Sequence, residues 1–265
     1  MRSPMLSVSL AALLLTPALA VAQSPTLTCD DTWDNGEDRF CEIRELTVPL
    51  GSGPIAIDAG PNGGIRVHGW DRNEIRLIAR VESHASSESR ARELAGGVKV
   101  TTTGTIHATG PDHQRREWWS VSYEAFVPAK ADLQLETTNG GIRIAEVNGR
   151  VRFSVTNGGV SLTGLGGDVS GRSTNGGIHL DLRGTTWNGT GVDVQTTNGG
   201  VTVSVPEGYA AHLETGTRNG SLRFDFPVTV QGQLNRRLSV DLGAGGPTIR
   251  AMTTNGSVTV KRLEI

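Results

Sequence analysis

One short phrase, Asn-Gly followed by Gly or Ser and then an aliphatic residue, occurs six times in the second half of this 265-residue chain. The copies read TTNGGIRI, VTNGGVSL, STNGGIHL, TTNGGVTV, TRNGSLRF and TTNGSVTV, and their asparagines are Asn139, Asn157, Asn175, Asn198, Asn219 and Asn255. The gaps between them are 18, 18, 23, 21 and 36 residues. A period near 20 residues is typical of a repeat architecture. The last gap, twice 18, predicts one degenerate copy at Gly243 to Gly246.

Residues at equal offsets from the asparagines share one chemical type. The third residue after each asparagine is aliphatic: Ile142, Val160, Ile178, Val201, Leu222 and Val258. The fifth is apolar: Ile144, Leu162, Leu180, Val203, Phe224 and Val260. The sixth residue before is also aliphatic: Leu133, Val151, Val169, Val192, Leu213 and Ile249. Residues between these rows are polar or mixed, and this alternation predicts short strands with one buried face.

The Asn-Gly pairs predict a sharp turn in each copy, because both residues tolerate positive φ. Two topologies agree with such turns. The chain could form an antiparallel β-meander with Asn-Gly hairpins, or each copy could be one coil of a β-solenoid with equivalent residues stacked. We expect an all-β protein and favour the solenoid, because one residue type at one offset indicates one repeated environment. Stacked asparagines could also pair their side-chain amides.

The region before the repeats is a looser version of them. GPNGGIRVHGW contains a diverged copy at Asn62, with Ile65 and Val67 at the apolar offsets. Residues 86–95, SSESRARELA, form the one convincing helix, with a serine cap and a glutamate in the first turn. Its single large apolar residue, Leu94, predicts weak packing at an edge. Residues 98–127 return to strands, interrupted by a polar loop from Gly110 to Glu117.

The N-terminus has the features of an export signal. Arg2 precedes a short apolar stretch from Leu6 to Ala20, and Ala20-Val21-Ala22 offers small residues for cleavage before Gln23. We therefore expect an exported protein that is periplasmic, cell-surface or secreted, with no transmembrane segment in the mature chain. Cys29 and Cys41 are the only two cysteines, and in an oxidising compartment they predict a disulfide. The expected organisation is a signal peptide over 1–22, a disulfide-stapled segment over 23–44 and a solenoid over 45–265.

The reiterated T-N-G-G-[IV] phrases, the opening N-G-G-I-R-V-H-G-W-D and the helix-bearing insert resemble the bacterial putative adhesin domain family. The resemblance covers about residues 45–263. It implies a β-solenoid-like fold in a cell-envelope setting, in a family with no established catalysis.

A search for chemistry finds no catalytic residue and no reason to expect a cofactor. The histidines lie at no metal-ligand spacing, so no metal site is predicted. A polysaccharide hydrolase needs two carboxylates in one groove, and the best pair is Asp181 and Asp225, which would lie two coils apart at about 9–10 Å. Isolated aspartates that keep a strand surface soluble explain them more simply. The net charge of −2 offers no case for nucleic acid.

The best candidate for binding is aromatic and basic. In RREWWSVSY, Trp118 and Trp119 follow Arg115 and Arg116 beside the polar loop. Adjacent strand residues face opposite ways, so only one tryptophan is expected to be buried. The pair could stack on a sugar, capture a partner or cap the open end of the solenoid, and the cap is the simpler interpretation.

These features together predict an exported, non-enzymatic adhesin or envelope-binding module, with a surface polysaccharide or an envelope protein as its partner. Two alternatives stay open, a polysaccharide-acting β-helix hydrolase and a module that senses envelope stress through a protein partner.

Overall fold

The computed structural model describes residues 27–29, 38–227 and 236–263. The predicted signal peptide lies outside the described residues. The strands are β1 (Asp38–Val48), β2 (Ile55–Asp58), β3 (Ile65–Trp70), β4 (Ile75–Ala85), β5 (Lys99–Thr101), β6 (Thr105–Thr109), β7 (Trp118–Pro128), β8 (Leu133–Asn139), β9 (Ile142–Ala145), β10 (Asn148–Asn157), β11 (Val160–Thr163), β12 (Gly166–Asn175), β13 (Ile178–Asp181), β14 (Gly191–Asn198), β15 (Val201–Val205), β16 (Ala211–Asn219), β17 (Leu222–Phe224), β18 (Arg237–Leu242), β19 (Thr248–Asn255) and β20 (Val258–Arg262). One α-helix, α1, covers Glu88–Gly97, and a 3-10 turn covers Gly60–Asn62.

The strands form two facing sheets. Sheet A has the order β1-β4-β7-β3-β9-β11-β13-β15-β20-β17, and sheet B has the order β18-β16-β19-β14-β12-β10-β8-β2-β6-β5. Each Asn-Gly copy is one coil, which gives a strand to sheet B, turns at the asparagine and gives a shorter strand to sheet A. The coils pair in parallel and in register, asparagine beside asparagine. The solenoid prediction is therefore confirmed, and the antiparallel meander is wrong for the repeats.

The core lies between the two sheets and consists of the predicted apolar rows. Ile142, Val160 and Ile178 sit side by side on neighbouring strands of sheet A and are at most 1% exposed. Burial of one such side chain stabilises the fold by roughly 1.5–3 kcal/mol. Leu222 and Phe224, on the last strand of sheet A, are only partly buried, and no further coil among the described residues covers them.

The first glycine of every turn is required by close stacking, and only Gly176 and Gly256 also have positive φ. The prediction that both residues of the Asn-Gly pair need positive φ is therefore wrong for the asparagines and for most of the glycines. Among the described residues that are not glycine, only Arg116 and Glu146 have positive φ. A Cβ on Gly158 would lie 2.0 Å from the carbonyl oxygen of Gly140 in the neighbouring coil, whereas a Cβ on Gly159 would lie 3.6 Å from its nearest neighbour. The second position therefore has more room, and two of the six copies place serine there.

A buried hydroxyl row runs beside these turns. The residue two places before the asparagine points inward and donates a hydrogen bond to the carbonyl of a turn glycine in the adjacent coil. The pairs are Thr137 to Gly63, Ser173 to Gly158, Thr196 to Gly176, Thr253 to Gly199 and Thr217 to Gly256. Val155 occupies this position in one copy. These bonds link each coil to the next from inside the core, where an unmade hydrogen bond is costly.

The coils do not stack in sequence order. The last coil, β19 and β20, lies between the coil of β14 and β15 and the coil of β16 and β17. The degenerate copy predicted at Gly243 to Gly246 is wrong. Residues 237–242 form β18, which pairs antiparallel with β16, and Gly243, Gly245 and Gly246 turn the chain into β19 with positive φ.

The insert closes the opposite end of the stack. The first coil, β2 and β3, packs directly on the coil of β8 and β9. The residues between β3 and β8 add further strands to the outer ends of both sheets. β7 joins β3 in parallel, then β4 and β1 follow antiparallel. β1 runs across the predicted boundary at residue 44.

The predicted helix is present, shifted by two residues. Ser87 caps α1 by accepting a hydrogen bond from the backbone N–H of Arg90. The helix buries Ala91, Leu94 and Ala95. Arg44 of β1 donates to the carbonyl of Ala95 at 2.8 Å and to that of Val98, so a cation satisfies the C-terminal carbonyls.

Candidate binding surface

The outer face of sheet A carries a row of side chains four places after the repeat asparagines. In spatial order the row is Arg66, Arg143, Ser161, His179, Thr202, Thr259 and Arg223. At its start the surface forms a groove of about 390 Å³, lined by Arg66, Arg143, Ser161 and His179, with Leu27 and Arg80 at one end. We call this the arginine groove.

The parallel register brings Arg66 and Arg143 directly opposite each other on β3 and β9. On its other side Arg66 lies opposite Glu124 of β7, so the charge of Arg66 has a carboxylate beside it within the sheet. Arg143 is exposed, and no described residue forms an ion pair or hydrogen bond with it. Its neighbour on the other side is Ser161, which is uncharged. The guanidinium of Arg143 is therefore free to bind an external anion.

Leu27, in the short described stretch 27–29, forms the end wall of the groove. The carboxylate of Glu124, which is fully buried, accepts a hydrogen bond from the N–H of Leu27 at 3.1 Å and lies 3.0 Å from Nε2 of His68. Arg80 donates to the carbonyl of Thr28 at 3.1 Å. Leu27 is 7% exposed, so the chain is firmly seated on sheet A here.

The predicted disulfide between Cys29 and Cys41 is present, with the two Cα atoms 5.8 Å apart. Cys41 lies on β1, so the disulfide ties this wall to the edge of sheet A. In a chain-entropy model a loop this short contributes roughly 3 kcal/mol.

Trp118 and Trp119 lie on β7, away from the arginine groove, and both are half-buried. Trp119 packs against the core and donates its indole N–H to the carbonyl of Pro111 at 3.0 Å. Trp118 stacks on the ring of His84, with centroids 4.1 Å apart. Contacts of this kind are those of an end cap, and they leave each tryptophan only partly accessible.

Arg115 and Arg116 are exposed on the loop before β7. This loop is held by Arg90 of α1, which donates two hydrogen bonds to Glu117 at 2.9 and 3.2 Å. The same interaction holds the pKa of Glu117 below its usual value. Arg115 and Arg116 line one depression, and Trp118 and Trp119 line a different one. None of the four residues lines the arginine groove.

The two predicted hydrolase aspartates are too far apart. Asp181 lies on β13 and Asp225 follows β17, and β15 and β20 lie between those strands. Three strand spacings separate the side chains by about 14 Å, beyond the roughly 6.5–9.5 Å of an inverting pair. The predicted distance of two coils is wrong because the last coil is inserted between them. Asp225 instead accepts a hydrogen bond from the N–H of Arg262 at 3.0 Å.

A Ser–His–Asp chain, missed in the sequence, lies on the outer face of sheet B. His212 of β16 lies 2.9 Å from the hydroxyl of Ser239 and 2.7 Å from the carboxylate of Asp241, both on β18. The side chain of Asp241 is 67% exposed, unlike the buried carboxylate that orients a catalytic histidine. Ser239 is in mid-strand, where N–H groups lie in the sheet plane and do not converge on an oxyanion beside its hydroxyl. These side-chain hydrogen bonds connect the two strands and hold β18 against β16.

The sequence contains part of the signal for the arginine groove. Arg143 and Ser161 occur in the polar row, and Arg66 holds the same offset in the diverged copy at Asn62. Only the contact between β3 and β9, across an insert of more than sixty residues, makes Arg66 and Arg143 neighbours. No repeat in the sequence predicts the hydrogen bond between Leu27 and Glu124 at the end wall of the groove.

The fold defines a class of protein, a β-solenoid of parallel two-strand coils with an antiparallel cap at each end. The chain belongs to the Toastrack DUF4097 family, whose model matches residues 38–261. The resemblance to the adhesin domain family is confirmed by this match. No helix within the described ranges is long and apolar enough to cross a membrane.

Comparison with solved structures gives distant relatives. A putative cell adhesion protein from Clostridium sporogenes is 10% identical, with a TM-score of 0.45, and the match covers 85% of this chain and 100% of that one. A putative adhesin from Bacteroides fragilis is 14% identical, with a TM-score of 0.36 and coverage of 84% and 97%. A putative lipid binding protein from Parabacteroides distasonis is 12% identical, with a TM-score of 0.36 and the same coverage. A search of the curated proteins finds no match.

Proposed function

We propose that this protein is an exported, non-enzymatic binding module of the cell envelope, and that its binding surface is the outer face of sheet A. The observation that carries the proposal is Arg143, which is exposed in an open groove on that face and forms no ion pair or hydrogen bond with a described residue.

The scaffold supports this role. In-register coils present equivalent side chains at intervals of about 4.8 Å on a rigid face, and many weak contacts along such a face add up to firm attachment. The disulfide supports export, because disulfides persist in oxidising compartments. A hydrolase is disfavoured because Asp181 and Asp225, the pair that the sequence suggests for it, lie three strand spacings apart, about 14 Å.

Sedimentation with envelopes tests the proposal. The mature protein should sediment with the envelope fraction of the cells that produce it, and no new reducing ends should be released over the same time. Periodate treatment of the envelopes should abolish sedimentation if a polysaccharide is the partner. If protease treatment abolishes it instead, an envelope protein is the partner, as the stress-sensing alternative requires. Absence of sedimentation, or release of reducing ends, would overturn the proposal.

A further inference from the structure

We infer that a cavity beside Asn62 binds an acetamido sugar, and that the amide oxygen of the sugar accepts a hydrogen bond from the Asn62 side chain. The cavity shares no lining residue with the arginine groove, so the inference concerns a second site and goes beyond the proposed function. Three features of the cavity carry it: an unused amide donor, acceptors for further hydrogen bonds, and two half-buried indoles.

The repeat asparagines form a row in which each side-chain amide donates to the side-chain oxygen of its neighbour. Asn157 donates to Asn139 at 2.7 Å, and Asn139 donates to Asn62 at 3.1 Å. Asn62 ends the row, its side chain is exposed, and its own amide N–H groups donate to no described residue. At every other position the amide donates to a carboxamide oxygen. A ligand with a carboxamide oxygen would therefore continue the row.

The cavity lies where the next turn of the stack would be. Strands β6 and β7 pair in parallel with β2 and β3, so they take the place of a further coil. The loop between them, residues 110–117, contains no asparagine and replaces the Asn-Gly turn. A cavity of about 210 Å³ lies between this loop and the turn Gly60–Asn62, with His113 of the loop in its wall.

Two side chains in the cavity offer acceptors for the amide N–H and the hydroxyls of a sugar. Nδ1 of His107 lies 2.8 Å from the carbonyl oxygen of Thr105. Because a carbonyl only accepts, Nδ1 carries the proton, and Nε2 of the neutral ring is an acceptor. One carboxylate oxygen of Asp58 accepts from the N–H of Gly60 at 2.8 Å, and the other accepts from no described residue. No arginine or lysine of the described ranges lines the cavity, which therefore suits a neutral ligand better than an anion.

The walls of the cavity include Trp118 and Trp119, which are both half-buried. Small-molecule sites combine aromatic walls with a few placed polar groups, and the C–H face of a sugar ring can pack on indole surface. Trp119 is held by its hydrogen bond to Pro111, and Trp118 is held by stacking on His84. Because both rings are already fixed, binding orders few further side chains.

The sheet topology disfavours a peptide as the occupant. A peptide that binds through its backbone adds to a free strand at the edge of a sheet. β7 lies between β4 and β3, and β6 lies between β2 and β5, so neither strand beside the cavity is an edge strand. A metal ion is also disfavoured, since no group of three suitable side chains occurs in the part of the chain that the structure describes. A single sugar ring with an amide substituent fits the cavity better than either.

Saturation-transfer NMR of the mature protein with matched sugars tests the inference. N-acetylglucosamine, N-acetylgalactosamine and N-acetylmannosamine are compared with glucose, galactose and mannose, which carry a hydroxyl in place of the acetamido group. We expect an acetamido sugar to bind roughly tenfold more tightly than its parent sugar, with transfer to its acetyl methyl protons. Failure of all three acetamido sugars, or equal binding of the parent sugars, would overturn the inference. Equal binding of N-acetylglycinamide, which has the amide but no ring, would also overturn it.

Two matched variants locate the site. Asn62→Asp keeps the side-chain oxygen that accepts from Asn139 but removes the donor, and should lower the affinity roughly tenfold. Gln134→Glu makes the same change of charge on the outer face of sheet B, outside the cavity, and should leave the affinity within about twofold. Unchanged affinity in Asn62→Asp, or equal losses in both variants at unchanged melting temperature, would overturn the inference. Neither result would affect the proposed function, which rests on other residues and is measured by sedimentation.

Discussion

Asn255 donates its side-chain amide to Oδ1 of Asn198 at 2.8 Å, although Asn219 lies between them in the sequence. Asn219 in turn donates to Asn255 at 2.8 Å. The asparagine side chains thus form a ladder of hydrogen bonds in the spatial order Asn198, Asn255, Asn219. The last coil of the chain is therefore a middle coil of the stack. The strands β19 and β20, although last in the sequence, are thus integral to the core.

The inserted coil can be tested by cross-linking. Thr197 and Thr254 precede the paired Asn198 and Asn255, so they lie side by side on β14 and β19. The double variant Thr197→Cys/Thr254→Cys should form a new disulfide under mild oxidation, detected by mass after alkylation. Thr197→Cys/Arg218→Cys is the control, since those residues are two strands apart, about 10 Å. Cross-linking in the control alone would show that the coils stack in sequence order.

The two glycines of one turn should differ sharply in their tolerance of a methyl group. Gly158→Ala would place Cβ against the carbonyl of Gly140 and should lower the free energy of unfolding by about 3 kcal/mol or more. Gly159→Ala has ordinary contact distances and should stay within about 1 kcal/mol of the parent. Urea denaturation measures both. Equal effects would mean that the coils are not stacked this closely.

The asparagine ladder is expected to stabilise the fold and to have no direct part in envelope binding. Asn175 donates to Asn157 and accepts from Asn198, both through exposed side chains. Asn175→Ala should therefore cost only about 1 kcal/mol, near the low end for two lost hydrogen bonds. Asn62→Ala, at the end of the ladder, loses one and should cost less. Loss of envelope binding in Asn175→Ala at unchanged melting temperature would contradict this role.

The two tyrosines of the chain should resist ionisation until the protein unfolds. Burial raises the pKa of Tyr209 to about 12, and burial together with the charge of Asp58 raises the pKa of Tyr123 further above its usual value. An unfolded tyrosine ionises near pH 10. The stability these groups contribute is complete below that pH and is lost as pH rises through the folded values.

An alkaline titration followed by tyrosinate absorbance and circular dichroism checks this. Tyrosinate should appear together with the loss of strand signal. Neither hydroxyl has a hydrogen-bond partner among the described residues, so Tyr123→Phe should be neutral or slightly stabilising at neutral pH. Tyrosinate forming near pH 10 in folded protein would contradict the burial of both rings.

The repeated coil could be predicted from the sequence because each copy reports the same environment. The rows of Val160 and Leu162 indicate a buried face in every copy, and translation of one coil then gives the solenoid. The inserted last coil could not be predicted, since Asn255 carries the same signal whether its neighbour is Asn219 or Asn198. Periodicity identifies equivalent coils but contains no information about their order.

The candidate site was less predictable for a related reason. Trp118 and Trp119 are large residues beside a loop in the sequence, but their packing depends on Pro111 and His84, which no repeat connects to them. Arg143 belongs to a mixed polar row, where one arginine is unremarkable. Its significance depends on the groove around it, which forms where β3 contacts β9 across the insert.

Charge reversal on each face tests the central claim, that the outer face of sheet A is the binding surface. Ser161→Glu/His179→Glu adds two carboxylates to neighbouring strands of sheet A, and Thr156→Glu/Thr174→Glu does the same on exposed positions of β10 and β12 in sheet B. Sedimentation with envelopes is measured for both variants, with melting temperature as the check on folding. The sheet A variant should lose binding while the sheet B variant retains it. Retained binding in the sheet A variant, or loss confined to the sheet B variant, would contradict the account.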